Sequence, residues 1–185
     1  MPVNDERHLI SQAREGSHEA FRVLVEQHMK QAYNVAFGFV GDHDAAADVT
    51  QEAFMRAHRG LAAFQGEAGF ATWLQRIVMN LAMNRLKSDR ARADKQVGLD
   101  HPSAVGMGDE PEMGQRNETR AHIERALHEL PTLQRAVVIL RHLDGLSTRQ
   151  VSVILKCSEG TVKTHLFRGL KRMRERLHFL EADLA

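Results

Sequence analysis

Cysteine is almost missing from this chain. Cys157 stands alone in 185 residues, so no internal disulfide can form, which fits a reducing compartment. Tyrosine and tryptophan occur once each and proline only four times. What fills the space is Ala, Leu, Arg, Glu and Gln, a composition that favours helix. No segment alternates apolar and polar residues long enough to argue a sheet, so an all-α fold is expected. No apolar run is long enough to cross a bilayer, and the opening MPVNDERHLISQ lacks a basic-then-apolar leader, so the expectation is a cytoplasmic protein without membrane insertion. Phosphate-binding glycine loops and nucleophile elbows are also missing. The eleven histidines are scattered, with no HxxxH, HExxH or Cys/His cluster. Asp42, Asp44 and Asp48 do not have calcium-loop spacing and suit a helix start. No catalysis, no metal, no cofactor and no small-molecule substrate is therefore expected. A net charge of +1 does not by itself announce a nucleic-acid binder; the distribution of charge matters more than its sum.

That distribution is uneven. Between Lys163 and Arg176 there are six Lys or Arg residues and one acidic residue. The surrounding stretch, Leu146 to Arg176, reads as two helices about a short turn. Ser147 and Thr148 can cap the first, whose apolar positions are Val151, Ile154 and Leu155; Ser158 can cap the second, running from Glu159 to about Leu177. On the second helix Val162, Leu166, Gly169, Leu170, Met173 and Leu177 recur at three- and four-residue steps as a buried stripe, while Thr161, Thr164, Arg168, Lys171 and Glu175 fall opposite. A short scaffold helix, a tight turn and a longer helix with a cationic outer face is the arrangement that reads a major groove. An ordinary helical hairpin with a solvated basic face is the plainer reading of the same residues.

Upstream, a short helix from Asp5 to Arg14 and a longer one capped by Ser17 are predicted, with Gly38 and Gly41 marking the next boundary. A third helix, about Ala45 to Ala63, has two unlike faces. Ala46, Val49, Ala53, Ala57 and Leu61 point inward, while Asp48, Gln51, Glu52, Met55 and Arg59 share the other side. A charged face holding an exposed Met is compatible with a docking surface or with simple solvation. Phe64 to Phe70 is a loop with two glycines, bracketed by aromatics. The fourth helix, roughly Ala71 to Arg92, buries Phe70, Leu74, Ile77, Val78 and Leu81. Arg76, Asn80, Met83, Asn84 and Lys87 cluster on a different face with Trp73 at its margin, a combination suited to single-stranded nucleic acid or to an ordinary surface. From Ala93 to Asn117 the periodicity disappears, and the run LDHPSAVGMGDEPEMGQ within it holds two prolines and three glycines, the character of a linker. The expected organisation is a first helical domain over 1–92, a linker over 93–117 and a second helical domain over 118–185.

The order of these parts resembles a known family. DAAADVTQEAFMRAHRGLAAFQGEAGFATWLQRIVMNLAMNRL is similar to region 2 of the extracytoplasmic-function sigma factors of bacterial RNA polymerase, and ALHELPTLQRAVVILRHLDGLSTRQVSVILKCSEGTVKTHLFRGLKRMR is similar to their region 4. The resemblance covers nearly the whole chain. It implies a subunit that binds core RNA polymerase and directs promoter-specific initiation. Asp48, Gln51, Glu52, Met55 and Arg59 would dock on the clamp helices of the β′ subunit. The loop residues Phe64, Gln65, Gly66, Glu67 and Ala68 would hold a flipped base of the −10 element, and Arg76 and Asn80 would contact the same melted strand. Region 4 would meet the β flap through its apolar side. Its second helix would read the −35 element with Lys163, Thr164 and Arg168, with Lys171 and Arg172 nearer phosphates. An anti-sigma factor would be the regulatory partner. A stand-alone helix-turn-helix regulator, acting on duplex operators without polymerase, is the competing reading. The chain departs from the family pattern at three positions: Lys156 in the turn, Ser152 between the two helices, and His165 on the second.

Overall fold

A computed structural model of the chain describes residues 3–66, 69–96 and 114–182. Among these residues every regular element is helical. The first half holds α1 (Val3–Arg14), α2 (His18–Val40), α3 (His43–Gly60), a 3-10 turn (Leu61–Ala63) and α4 (Phe70–Gln96). Local chemistry sets the ends. The Ser17 hydroxyl accepts from the Ala20 N–H at 3.2 Å to start α2, and the Asp42 carboxylate accepts from the Ala45 N–H at 2.7 Å to start α3. Between them Gly41 takes φ +76°, which only glycine adopts without strain, and its N–H donates to the Phe37 carbonyl. Gly38 is not a boundary as its glycine signal implied. It lies inside α2, and a Cβ there would touch Ile139 and Leu143 at 3.4 Å. The inward stripe of α3 is buried as read: Ala46, Ala53 and Ala57 are fully enclosed, with Val49, Phe54 and Leu61 nearly so.

The second half holds α5 (Gly114–His128), α6 (Thr132–Val138), a π-helical turn (Ile139–Leu143), α7 (Thr148–Leu155) and α8 (Glu159–Ala182). Helices α4 and α5 thus run into both ends of the segment read as linker, whose middle, 97–113, lies outside the described residues. Ser147 and Gln150 form a reciprocal capping box on α7. At the turn of the helix-turn-helix Lys156 has φ 52° and ψ 47°, so a residue with a Cβ holds the left-handed position, at a cost of about 1 kcal/mol. The Ser152 hydroxyl donates to the Arg149 carbonyl at 2.7 Å, the partner that a buried-side serine needs. Gly169 permits close packing of α8 on α6, since a Cβ there would stand 2.8 Å from Val138 Cγ2. Leu170, placed in the buried stripe by spacing, is instead 38% exposed.

The two halves touch, and their buried residues form a continuous core. Ile139 of the π-helical turn is fully buried, and it and Leu143 lie over Gly38 of α2. Arg135 of α6, only 4% exposed, places its guanidinium at the carbonyl end of α2. Polar contacts join α4 to the other half: Gln150 Nε2 donates to Thr72 Oγ1 at 3.1 Å, and Gln75 Nε2 donates to Asp144 Oδ1 at 3.4 Å. Met79, on the same side of α4 as Thr72 and Gln75, is fully buried. Burial at this junction raises the Asp144 carboxyl from its ordinary 3.8 to about 6, opposed by a hydrogen bond from Gln31.

A carboxyl whose folded pKa lies above its unfolded one favours the folded state most fully below the unfolded value, and that advantage is lost as pH rises through about 6. At neutral pH Asp144 therefore carries a buried charge that Asn would not. Asp144→Asn should stabilise the chain near pH 7.5 by on the order of 1 kcal/mol, the shift being discounted for the group's partial exposure. Urea unfolding near pH 7.5 and near pH 4 checks this; the difference should disappear at the acid pH.

Candidate nucleic-acid and docking surfaces

An open groove of about 720 Å³ runs between α2 and α3. From α2 it is lined by Phe21, Val25, Met29 and Tyr33, each four residues after the last, so one face of the helix supplies an apolar wall. From α3 it is lined by Gln51, Met55 and Arg59 at the same spacing, with Phe54 in its floor. Met29 and Met55 are 42% and 43% exposed, which places two adaptable thioethers on the groove's open side. The five residues read as one docking face of α3 therefore divide. Gln51, Met55 and Arg59 line the groove. Asp48 and Glu52 lie on its flank, where Asp48 faces Arg85 at 3.9 Å and Glu52 pairs with Arg56 at 2.7 Å.

The loop after α3 is anchored by aromatics. Phe64 is 7% exposed and packs on Trp73 at 4.9 Å and edge-on to Phe70 at 6.0 Å between ring centroids. It closes the core beneath the loop and presents little surface to a base. Gln65 and Gly66 are exposed, and the Gly69 N–H donates to the Gly66 carbonyl across the turn. Glu67 and Ala68 lie outside the described residues. On α4, Asn80, Asn84 and Lys87 are exposed and Arg76 is half-buried beside them. This polar strip borders Thr72 and Gln75, which the second half contacts, and the buried Met79. Periodicity within α4 could not reveal that contact, because the residues that make it lie about seventy positions away.

Helix α8 presents Lys163, Thr164, Arg168, Lys171 and Arg172 to solvent, so the structure brings the five together on one helix as read. Ser158 caps this helix, accepting from the Thr161 N–H at 3.0 Å. The Thr164 hydroxyl donates to the Gly160 carbonyl at 3.0 Å and keeps its lone pairs outward. Among the described residues no carboxylate pairs with Lys163 or Arg168, while Lys171 faces Glu175 at 3.9 Å. His165 does not belong to this face. It is half-buried, with Nδ1 enclosed and unpartnered. One residue of this face escaped the sequence reading. Phe167 is 71% exposed, one helical turn from Lys163 and Thr164. Helical spacing contained the signal, but an aromatic is ordinarily assigned to the core.

An apolar docking groove, a polar strip beside an aromatic-anchored loop, and a helix-turn-helix with a cationic outer face define a two-part helical protein that joins a protein partner to DNA. Comparison with known proteins narrows the class. Sigma-70 region 2 matches residues 24–92 and Sigma-70 region 4 matches residues 120–173. The RNA polymerase sigma-H factor of Pseudomonas aeruginosa PAO1 is 31% identical, with 89% of each chain covered. The ECF RNA polymerase sigma-E factor of Escherichia coli K12 is 32% identical over 87% of this chain and 88% of its own. Among solved structures, CnrH in complex with the cytosolic domain of CnrY shares the fold with a TM-score of 0.71 and 24% identity, covering 97% of this chain and 99% of that one. RpoE of Bartonella quintana, solved with the anti-sigma factor NepR, gives a TM-score of 0.70 at 22% identity, covering 85% of this chain and 96% of that one. The chain belongs to the extracytoplasmic-function sigma factors and is an alternative sigma factor of RNA polymerase.

The burial of Phe64 distinguishes a core residue from a base-holding one. Phe64→Ala should lower unfolding stability by about 3 kcal/mol, the usual cost of emptying a buried aromatic site. Chemical denaturation without any nucleic acid measures it. Unchanged stability, with DNA binding lost, would return Phe64 to the base-holding role.

Proposed function

We propose that this sigma factor docks core polymerase through the α2–α3 groove, holds the melted −10 strand along the Arg76–Asn80 strip of α4, and reads the −35 element with α8. In this reading residues 1–92 act as one functional half and 118–185 as the other, with no catalytic chemistry in either. The observation that carries it is the pairing of Gln51, Met55 and Arg59 with the apolar wall of α2. A helix pair of the partner needs a trough of this kind, apolar at its floor with polar groups at its lip. A stand-alone operator binder would have no use for that groove or for the strip on α4. The Bartonella quintana neighbour solved with an anti-sigma factor supports a regulatory partner of that class for this chain too, and its site of action would be the cytoplasm, where polymerase works. No helix among the described residues is long and apolar enough to cross a membrane.

On α8, Arg168 suits bidentate contact with guanine and Lys163, Lys171 and Arg172 suit phosphate neutralisation. Exposed Phe167 adds an apolar contact suited to a thymine methyl.

The reading is tested by transcription from a promoter library with core enzyme, with and without this chain. Promoter-specific initiation should require the chain. Arg168→Ala should weaken initiation at promoters with a −35 element by roughly 1–3 kcal/mol, a loss of about fivefold to 150-fold, if Arg168 reads a base; a wild-type footprint removes that role. Gln51→Ala with Met55→Asp should weaken capture of core polymerase while Asp48→Ala, on the flank, should matter less. Equal losses from both sides, in a binding titration against core enzyme, would mean that the groove is not the docking site.

A further inference from the structure

Helix α1 has no part in the surfaces described above. Among the described residues the groove takes its lining from α2 and α3, and the polar strip and the cationic face belong to α4 and α8. Leu9, Ile10 and Ala13 set α1 against the core. Two of its polar side chains serve the two ends of the loop between α3 and α4. Near the first end, Arg14 Nη2 donates to the Ala62 carbonyl at 3.2 Å, two residues before Phe64. At the second end the contact runs through α2. His28 Nε2 donates to the Glu6 carboxylate at 2.9 Å, and the His28 ring packs on the ring of Phe70 with centroids 5.2 Å apart. Glu6 and Arg14 are eight residues apart, about 12 Å along the helix axis, so α1 reaches from one root of the loop to the other.

The Glu6–His28 pair is sheltered, with the His28 side chain only 12% exposed and that of Glu6 32%. Water competes poorly for a hydrogen bond in that setting, so the pair fixes the direction of the imidazole. Phe70 is fully buried and meets Phe64 at 6.0 Å and Trp73 at 5.7 Å between centroids. Close packing passes a shift of His28 to all three rings at the foot of the loop. The loop itself has little to hold it. Gly66 and Gly69 take φ +78° and +72°, and among the described residues nothing stands within 4 Å of a Cβ built at either. Its internal bond runs from the Gly69 N–H to the Gly66 carbonyl at 3.3 Å. A segment with two left-handed glycines and open space around them takes its position from its roots. Holding a base there costs ordering entropy unless those roots are already fixed.

We propose that Glu6, His28 and Arg14 are positioning residues for reading of the −10 element. Helix α1 braces the Phe64 root through the Ala62 carbonyl and the Phe70 root through His28, so that Gln65 and Gly66 meet the melted strand in one orientation. It acts through the roots of the loop, without touching the strand. The inference rests on the promoter-reading function proposed above and deepens it.

Trp73 makes the brace observable without DNA. It is the chain's single tryptophan, and it packs on Phe64 at 4.9 Å and on Phe70, so its emission reports the state of both roots. The experiment uses the full chain with Glu6→Ala and Arg14→Ala, singly and together, and with Glu6→Gln, which keeps an acceptor for His28. Circular dichroism establishes that each retains its helical content. Acrylamide quenching of Trp73 should rise in the alanine variants and stay at the parent level in Glu6→Gln. With core enzyme, a single-stranded oligonucleotide carrying the −10 sequence recovered from the promoter library should bind the double variant about tenfold more weakly. That is the size of loss expected when one or two side chains must be ordered on binding. Duplex −35 DNA and core polymerase should bind every variant as they bind the parent, which a general loss of stability would not allow. Unchanged quenching or unchanged −10 affinity in the double variant would overturn the brace. So would an equal loss towards −35 DNA and core, or a Glu6→Gln variant as weak as Glu6→Ala. If the parent holoenzyme binds the −10 oligonucleotide no better than a scrambled one, the promoter reading fails instead, and Trp73 quenching still decides whether α1 braces the loop.

Discussion

The guanidinium of Arg135 is the point on which the two halves of this sigma factor depend. A buried cation is costly unless its donors are all met. Here the acceptors are mainly backbone carbonyls from the α5–α6 corner, with one from the end of α2. Because those carbonyls are left over by helices that stop there, the side chain completes two helix ends at once, those of α2 and α5. Its charge and the surrounding burial also hold His128 below its ordinary pKa, with burial the larger influence. A neutral His128 can accept from Arg135 at Nδ1, so the two residues support each other's state.

The rest of the junction is built from weaker parts. Gly38 lets Ile139 and Leu143 approach α2, and the π-helical turn that carries them widens the backbone at that place. Apolar contact there contributes in proportion to the area removed from water, roughly 25 cal/mol per Å². Against this stand the unpartnered atoms of Gln75 and Asp144. The junction thus combines one well-satisfied anchor with a poorly satisfied polar edge.

The α2–α3 groove and the contact between the halves use different surfaces of the same helices. On α4, the half-buried Arg76 lies beside Thr72, which the other half covers. On α3, Gln51, Met55 and Arg59 open to the groove while Ala46, Ala53 and Ala57 close the core behind them. A helix has room for three such roles because its side chains radiate at 100° per residue, so neighbours in sequence face different partners.

Local rules alone were enough for much of this. Caps at Ser17, Ser147 and Ser158, the alanine-rich inner stripe of α3, and the cationic outer face of α8 follow from side-chain chemistry within a few residues, and each is found in place. The resemblance to region 2 and region 4 was legible for the same reason, since motif order and spacing are properties of the chain. Four features were not. Phe64 turned inward because Phe70 and Trp73 gather around it, and Phe167 stayed outward because α6 meets α8 at Gly169 instead. The docking face of α3 split because α2 runs along only one side of it. Thr72 and Gln75 met a second half whose Arg135 reaches a carbonyl 96 residues away. Periodicity reports which face of a helix avoids water; only the assembled tertiary structure decides which neighbour covers it.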